Sequence, residues 1–76
     1  MPDEVQRLNA YRKEKGWSFK RLAQAMANVG ARISPSTLNH ICKREDDDDV
    51  RLHDTTLYKI RKFLIHVDQR RRAQEL

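Results

Sequence analysis

The chain has 76 residues, sixteen Lys and Arg against eleven Asp and Glu, and a formal net charge of +5. That length allows one domain, 1–76, with a modest core, and leaves little room for a substrate cleft. Charged residues make up 36% of the chain and the mean hydropathy is −0.91, and no apolar run approaches membrane-spanning length.

Asp3 to Lys15 reads as the first helix. Asp3 is placed to cap it, with Gln6 three residues on completing a capping box. Val5, Leu8 and Tyr11 recur at helical spacing and form a narrow apolar stripe; Gly16 ends the helix. Ser18 opens the second helix, and Trp17 before it can staple onto Leu22. Phe19, Leu22, Ala23 and Met26 form its buried stripe, with Val29 a candidate to join them. Gly30 is the stop signal.

The same start signal then recurs. Ser34 caps, Pro35 suits the first helical position, and Ile33 can staple onto Leu38. The third helix is expected over about Pro35 to Arg44. At 100° per residue Leu38, Ile41 and Cys42 share one face, and the opposite face carries Ser36, Asn39, His40 and Lys43, with Thr37 and Arg44 flanking it. That face has no acid. Asn can bond the N6 and N7 positions of adenine together, and Ser, Thr and His can reach base edges or phosphates. The plainer reading is an ordinary solvated face, but such faces usually mix Asp or Glu with Lys.

Glu45 to Leu52 reads as a loop led by five consecutive acids, Glu45 to Asp49. Outside that run sixteen basic residues face six acids, a balance of +10. Such an excess points to a polyanionic partner, most simply nucleic acid, against the alternative of a basic surface that only aids solubility. The run lacks the glycine and distal Glu of a calcium loop. Asp54 is expected to cap the last helix, about 54–74. Leu57, Ile60, Leu64 and Val67 give its seam; Tyr58, Phe63 and Ile65 lie off the seam and form a candidate dimer or partner surface. Arg70, Arg71 and Arg72 suit the negative end of its dipole.

His40, His53 and His66 with the single cysteine make no zinc spacing, so no metal is expected. No nucleophile-base set or glycine-rich phosphate loop is visible, so no enzyme activity, cofactor or small-molecule substrate is expected. Cys42 can form no intrachain disulfide, and no signal-peptide pattern is visible at the start. Both fit a cytoplasmic location without a membrane partner.

Leu8, Tyr11, Arg12, Gly16, Trp17, Ser18, Leu22, Ala23, Gly30, Ile33, Ser34, Ser36, Thr37, Leu38 and Ile41, taken in order, resemble the Cro/C1-type (XRE-type) helix-turn-helix family over roughly Val5 to Leu64. The resemblance implies an all-α, lambda-repressor-like bundle of four to five helices, its helix-turn-helix at about 18–44. It also implies a sequence-specific transcriptional regulator, a repressor or autoregulator of a bacterium, phage or mobile element, binding a double-stranded DNA operator as a homodimer. By position, Ser36, Thr37, Asn39 and His40 look like base-contacting residues. Ser18, Phe19, Lys20, Lys43 and Arg44 look like backbone-contacting ones, and Arg32, in the longer connection, is expected to gain a phosphate-facing role. The chain departs from the family pattern in four places. The connection Asn28 to Ile33 is longer than the usual turn. Pro35 replaces a hydrogen-bonding side chain. Arg12 faces Cys42 where a Glu is common, and so needs another partner, Glu45 or a backbone carbonyl. The chain also runs unbroken through the last helix. Two rival readings remain open at this level: a protein-interaction module, such as an antitoxin or adaptor working through the last helix, and a nonspecific nucleic-acid binder.

Overall fold

Backbone stop signals divide the chain. In the computed structural model, which describes residues 1–75, α1 spans Asp3–Lys15, α2 Phe19–Ala27, α3 Pro35–Cys42 and α4 Asp54–Glu75. No strand occurs among the described residues. Both glycines have positive φ, 68° at Gly16 and 76° at Gly30, the left-handed region that costs glycine no Cβ clash. Each closes the same double turn. At the end of α1, Gly16 N–H donates to the Lys13 carbonyl and Trp17 N–H to that of Arg12. At the end of α2, Gly30 N–H donates to Ala27 and Ala31 N–H to Met26, the latter at 2.9 Å. These are Schellman motifs, which satisfy carbonyls that would otherwise be orphaned.

The helix starts differ from one another. Ser18 Oγ accepts from Arg21 N–H and Ser34 Oγ from Thr37 N–H, at 3.1 and 3.2 Å, as the sequence predicts. The expected capping box on α1 does not form. Pro2 occupies the N-cap position with no side-chain cap bond, so Asp3 is already helical and its carboxylate acts only as first-turn charge on the dipole. Gln6 instead donates to the Glu45 carbonyl at 3.3 Å. Asp54 likewise lies inside the first turn of α4; Leu57 N–H bonds the His53 carbonyl, so His53 holds the boundary position assigned to Asp54. The third helix ends at Cys42 rather than Arg44, with Lys43 as its C-cap.

The core gathers Val5 and Leu8 of α1, Leu22 and Met26 of α2, Leu38 and Ile41 of α3, and Ile60, Phe63, Leu64 and Val67 of α4. Ala31 and Ile33, between α2 and α3, are buried with them. The longer connection is therefore threaded into the core. α1 lies against both α3 and α4, and α2 against α3. Three ion pairs fasten α1 to α4: Arg7–Asp68, Arg61–Glu4 and Arg71–Glu14, at 3.2, 3.2 and 2.8 Å. All are solvent-exposed enough to be worth at most about 1 kcal/mol each.

One surface assignment is overturned as well. Phe63, expected on a partner surface, is only 3% exposed and meets Tyr11 edge to face at 5.8 Å. The buried arc of α4 is wider than a three-four seam and centred to one side of it, taking in Phe63 beside Val67 and leaving Leu57 half-buried. Tyr58 and Ile65 remain outside, 64% and 57% exposed. No helix among the described residues is long and apolar enough to cross a membrane.

Candidate nucleic-acid interface

α3 is one turn of cap, two turns of helix and three buried anchors. Leu38, Ile41 and Cys42 point into the protein. Ser36, Thr37 and His40 are exposed and Asn39 is half-buried. The four are thus brought together on one short helix. Their hydrogen-bonding freedom is unequal. The Thr37 hydroxyl lies 2.8 Å from Ser34 Oγ, so one of its lone pairs or its proton is engaged within the cap. Ser36 and His40 have no such engagement among the described residues.

Charge surrounds this helix without entering it. Lys43 and Arg44 follow in the exposed turn past its end, and Arg32 precedes it, exposed. The Arg32 carbonyl accepts from Lys59 Nζ at 3.0 Å, which pins the connection to α4. At the start of α2, Ser18 and Lys20 are exposed. Phe19 is half-buried beneath the Arg12 guanidinium, 4.1 Å from ring centre, so its ring serves packing. What it can offer an anion is the free N–H of the first helical turn. Beside α3 lies a groove of about 410 Å³ shared by Ser36, Thr37, His40 and Arg44 with apolar Ile41 and Leu52.

The acidic run is held to α1. Asn9, 4% exposed, donates from Nδ2 to Glu45 Oε2 at 2.9 Å and accepts at Oδ1 from Arg12 Nε at 3.1 Å. Arg12 also donates to the Trp17 carbonyl at 2.9 Å. Arg12 therefore finds the backbone carbonyl, and reaches Glu45 only through Asn9. Farther along, the Met1 ammonium donates to the Asp47 carbonyl at 2.6 Å and Asp47 Oδ1 accepts from Asp49 N–H. Asn9 was missed in the sequence, although it follows Leu8 and lies four residues after Val5, on the edge of the buried stripe.

Cys42 sits at the foot of this network. Burial raises its thiol from 9.0 to about 11; Arg12 opposes the shift, Glu45 adds to it, and Lys13 opposes it. The thiol is thus a neutral core group, not a nucleophile. A folded-state value above the unfolded one means the native chain holds this proton more tightly. That stability is complete below pH 9.0 and falls as pH rises toward 11. The denaturation midpoint of the native chain should therefore drop over that window. Cys42→Ala should lose the part of the slope that Cys42 contributes, as urea titrations at several pH values can read.

Among the described residues no group of three His, Cys, Asp or Glu side chains is placed to hold a metal ion. Compared with models of protein families, with curated proteins and with solved structures, the chain matches none.

Proposed function

We propose that the protein is a sequence-specific DNA-binding regulator that reads the major groove with α3. The observation that carries this reading is the solvent face of that helix. It holds hydrogen-bonding side chains and no acid, its start is locked by Ser34, exposed Arg32, Lys43 and Arg44 flank it along the chain, and Lys20 is exposed at the start of α2. Lys and Arg supply affinity through phosphates; Ser36, Asn39 and His40 supply selectivity at base edges, with Thr37 holding the helix start and offering its methyl group. α2–connection–α3 then acts as a helix-turn-helix, and the activity is that of a repressor or autoregulator.

Selection from a random duplex pool tests this. A motif should emerge, and affinity for it should fall steeply with salt. Ser36→Ala with His40→Ala should cost about tenfold to a hundredfold on the selected site and leave binding to random duplex unchanged. Lys43→Ala should weaken both and flatten the salt dependence by about one ion. Enrichment of no motif would defeat the proposal and leave a nonspecific binder.

The regulator acts as a homodimer in this reading, with the outward stripe of α4 as the contact. Tyr58 and Ile65 are the exposed large hydrophobics among the described residues, and at 100° per residue they lie in line with Arg72. An antiparallel pair centred on Ile65 sets Tyr58 of one copy against Arg72 of the other, a cation–π match. Ile65→Asp should shift sedimentation to monomer and abolish the preference for a two-half-site operator, while single half-sites stay bound.

The same stripe favours a second reading, an antitoxin or adaptor that engages another protein through α4. Phe63 no longer contributes to it. A cellular phenotype that survives the Ser36 and His40 changes but is lost with Ile65→Asp would select this reading.

A further inference from the structure

A second concavity lies apart from α3. The end of α1, the outer side of α2 and the second half of α4 enclose about 450 Å³, and no residue of α3 lines it. This is the volume of a small ligand site, large enough to seat a side chain with the chain on either side of it. Its floor is apolar and aromatic, including Trp17, Ala25, Val29 and Phe63. Tyr11 stands in the wall, edge-on to Trp17 at 5.5 Å.

Its rim is cationic. Lys15, Arg21, Arg70 and Arg71 all border it, with Glu14 as the only acid. Glu14 is already spent on Arg71. Lys15, Arg21 and Arg70 have no carboxylate partner among the described residues. Arg21 lies instead over the Trp17 ring at 5.0 Å, and Lys15 over Tyr11 at 5.7 Å. A cation parked on a ring keeps its donors free for an incoming carboxylate, and guanidinium groups take carboxylates in two-pronged fashion. The same parking occupies ring positions that a nucleobase would need, so stacking at those positions would displace the protein's own cations.

From this pairing of an apolar floor with an uncompensated basic rim we infer that the groove docks an acidic segment of another protein, seating one aliphatic side chain between α2 and α4. Its carboxylates meet Lys15, Arg21 and Arg70. Because α3 takes no part, the segment binds whether or not α3 is engaged, and the inference stands independently of the DNA-reading proposal.

Trp17 is the only tryptophan of the chain and lies in this groove, so its fluorescence reports occupancy directly. The probes are three synthetic peptides free of aromatic residues: an acidic one with a single central leucine, the same peptide with serine at the centre, and a basic one with leucine. A short single-stranded oligonucleotide is the fourth probe. The full chain should respond saturably to the acidic leucine peptide. The serine peptide should bind about tenfold or more weakly, the worth of one buried aliphatic side chain. The basic peptide should give no response. Lys15→Glu with Arg70→Glu, both exposed and outside the core, should reduce binding of the acidic leucine peptide by about tenfold or more with unchanged helical circular dichroism. Equal binding of the leucine and serine peptides, binding indifferent to the charge reversal, or an oligonucleotide that displaces the peptide at Trp17 would each overturn the inference.

Discussion

Leu38→Ala should remove a large share of the domain's stability. Leu38 is fully buried and is the central anchor of a helix of only eight residues. Truncating a buried leucine removes its transfer free energy and leaves a cavity, together about 3 kcal/mol. A domain of this length has a total stability on the order of 4–11 kcal/mol. The melting midpoint should fall by roughly 15 °C, since about 1 kcal/mol shifts a domain of this size by several degrees. Thermal denaturation followed at 222 nm reads this directly. Ser36→Ala on the same helix, changed at the solvent face, should leave the midpoint where it was. A small shift for Leu38→Ala would mean that α3 is not packed as described.

Asn9→Leu should destabilise by about 2 kcal/mol although it adds apolar bulk at a buried position. The change removes the donor to Glu45 and the acceptor for Arg12, leaving two charged groups short of a partner where water reaches them only in part. Substituting Glu45→Ala in the Asn9→Leu background should cost less than the same change in the native chain, because the two residues share one bond. Hydrogen exchange should show the loss locally as well. The turn after α3 hangs on Glu45, so its amides should open before those of α2. Additive effects in the double-mutant cycle would sink the network as an energetic unit.

Sequence reading succeeds where a residue acts on its own backbone neighbours and stops where its partner lies far along the chain. Helix ends are written locally. Ser18, Ser34, Gly16 and Gly30 act through their own backbone neighbours, so four of the boundaries could be read before any packing was known. The caps assigned to Asp3 and Asp54 failed for an equally local reason: each boundary lies one residue earlier than the acid. The α4 surface required tertiary knowledge. At 100° per residue Phe63 lies about 40° from Val67, and nothing in the spacing says on which side of the seam the buried arc widens. Tyr11 decides it, by standing where Phe63 can meet its ring. Asn9 was hidden for a related reason, since a polar residue on an apolar stripe is recognisable only when its partners, thirty-six residues away in one case, are known. At the candidate interface, the acid-free face of α3 was legible because it is a property of one helix. The engagement of Thr37 with Ser34 was not, because hydroxyl direction is set by the cap geometry.

The two glycine turns and two serine caps around α2 and α3 have an evolutionary consequence. They and the inward anchors hold α3 through residues outside the proposed base-reading set: Gly30, Ala31, Ile33, Ser34, and the buried Leu38, Ile41 and Cys42. If the proposed reading holds, Ser36, Asn39 and His40 can be exchanged like type in a fixed forme, changing the text without disturbing the press. Lineages carrying this scaffold should diverge fastest at those three letters, and a recoded trio grafted onto this chain should fold as the parent does while calling for a different target.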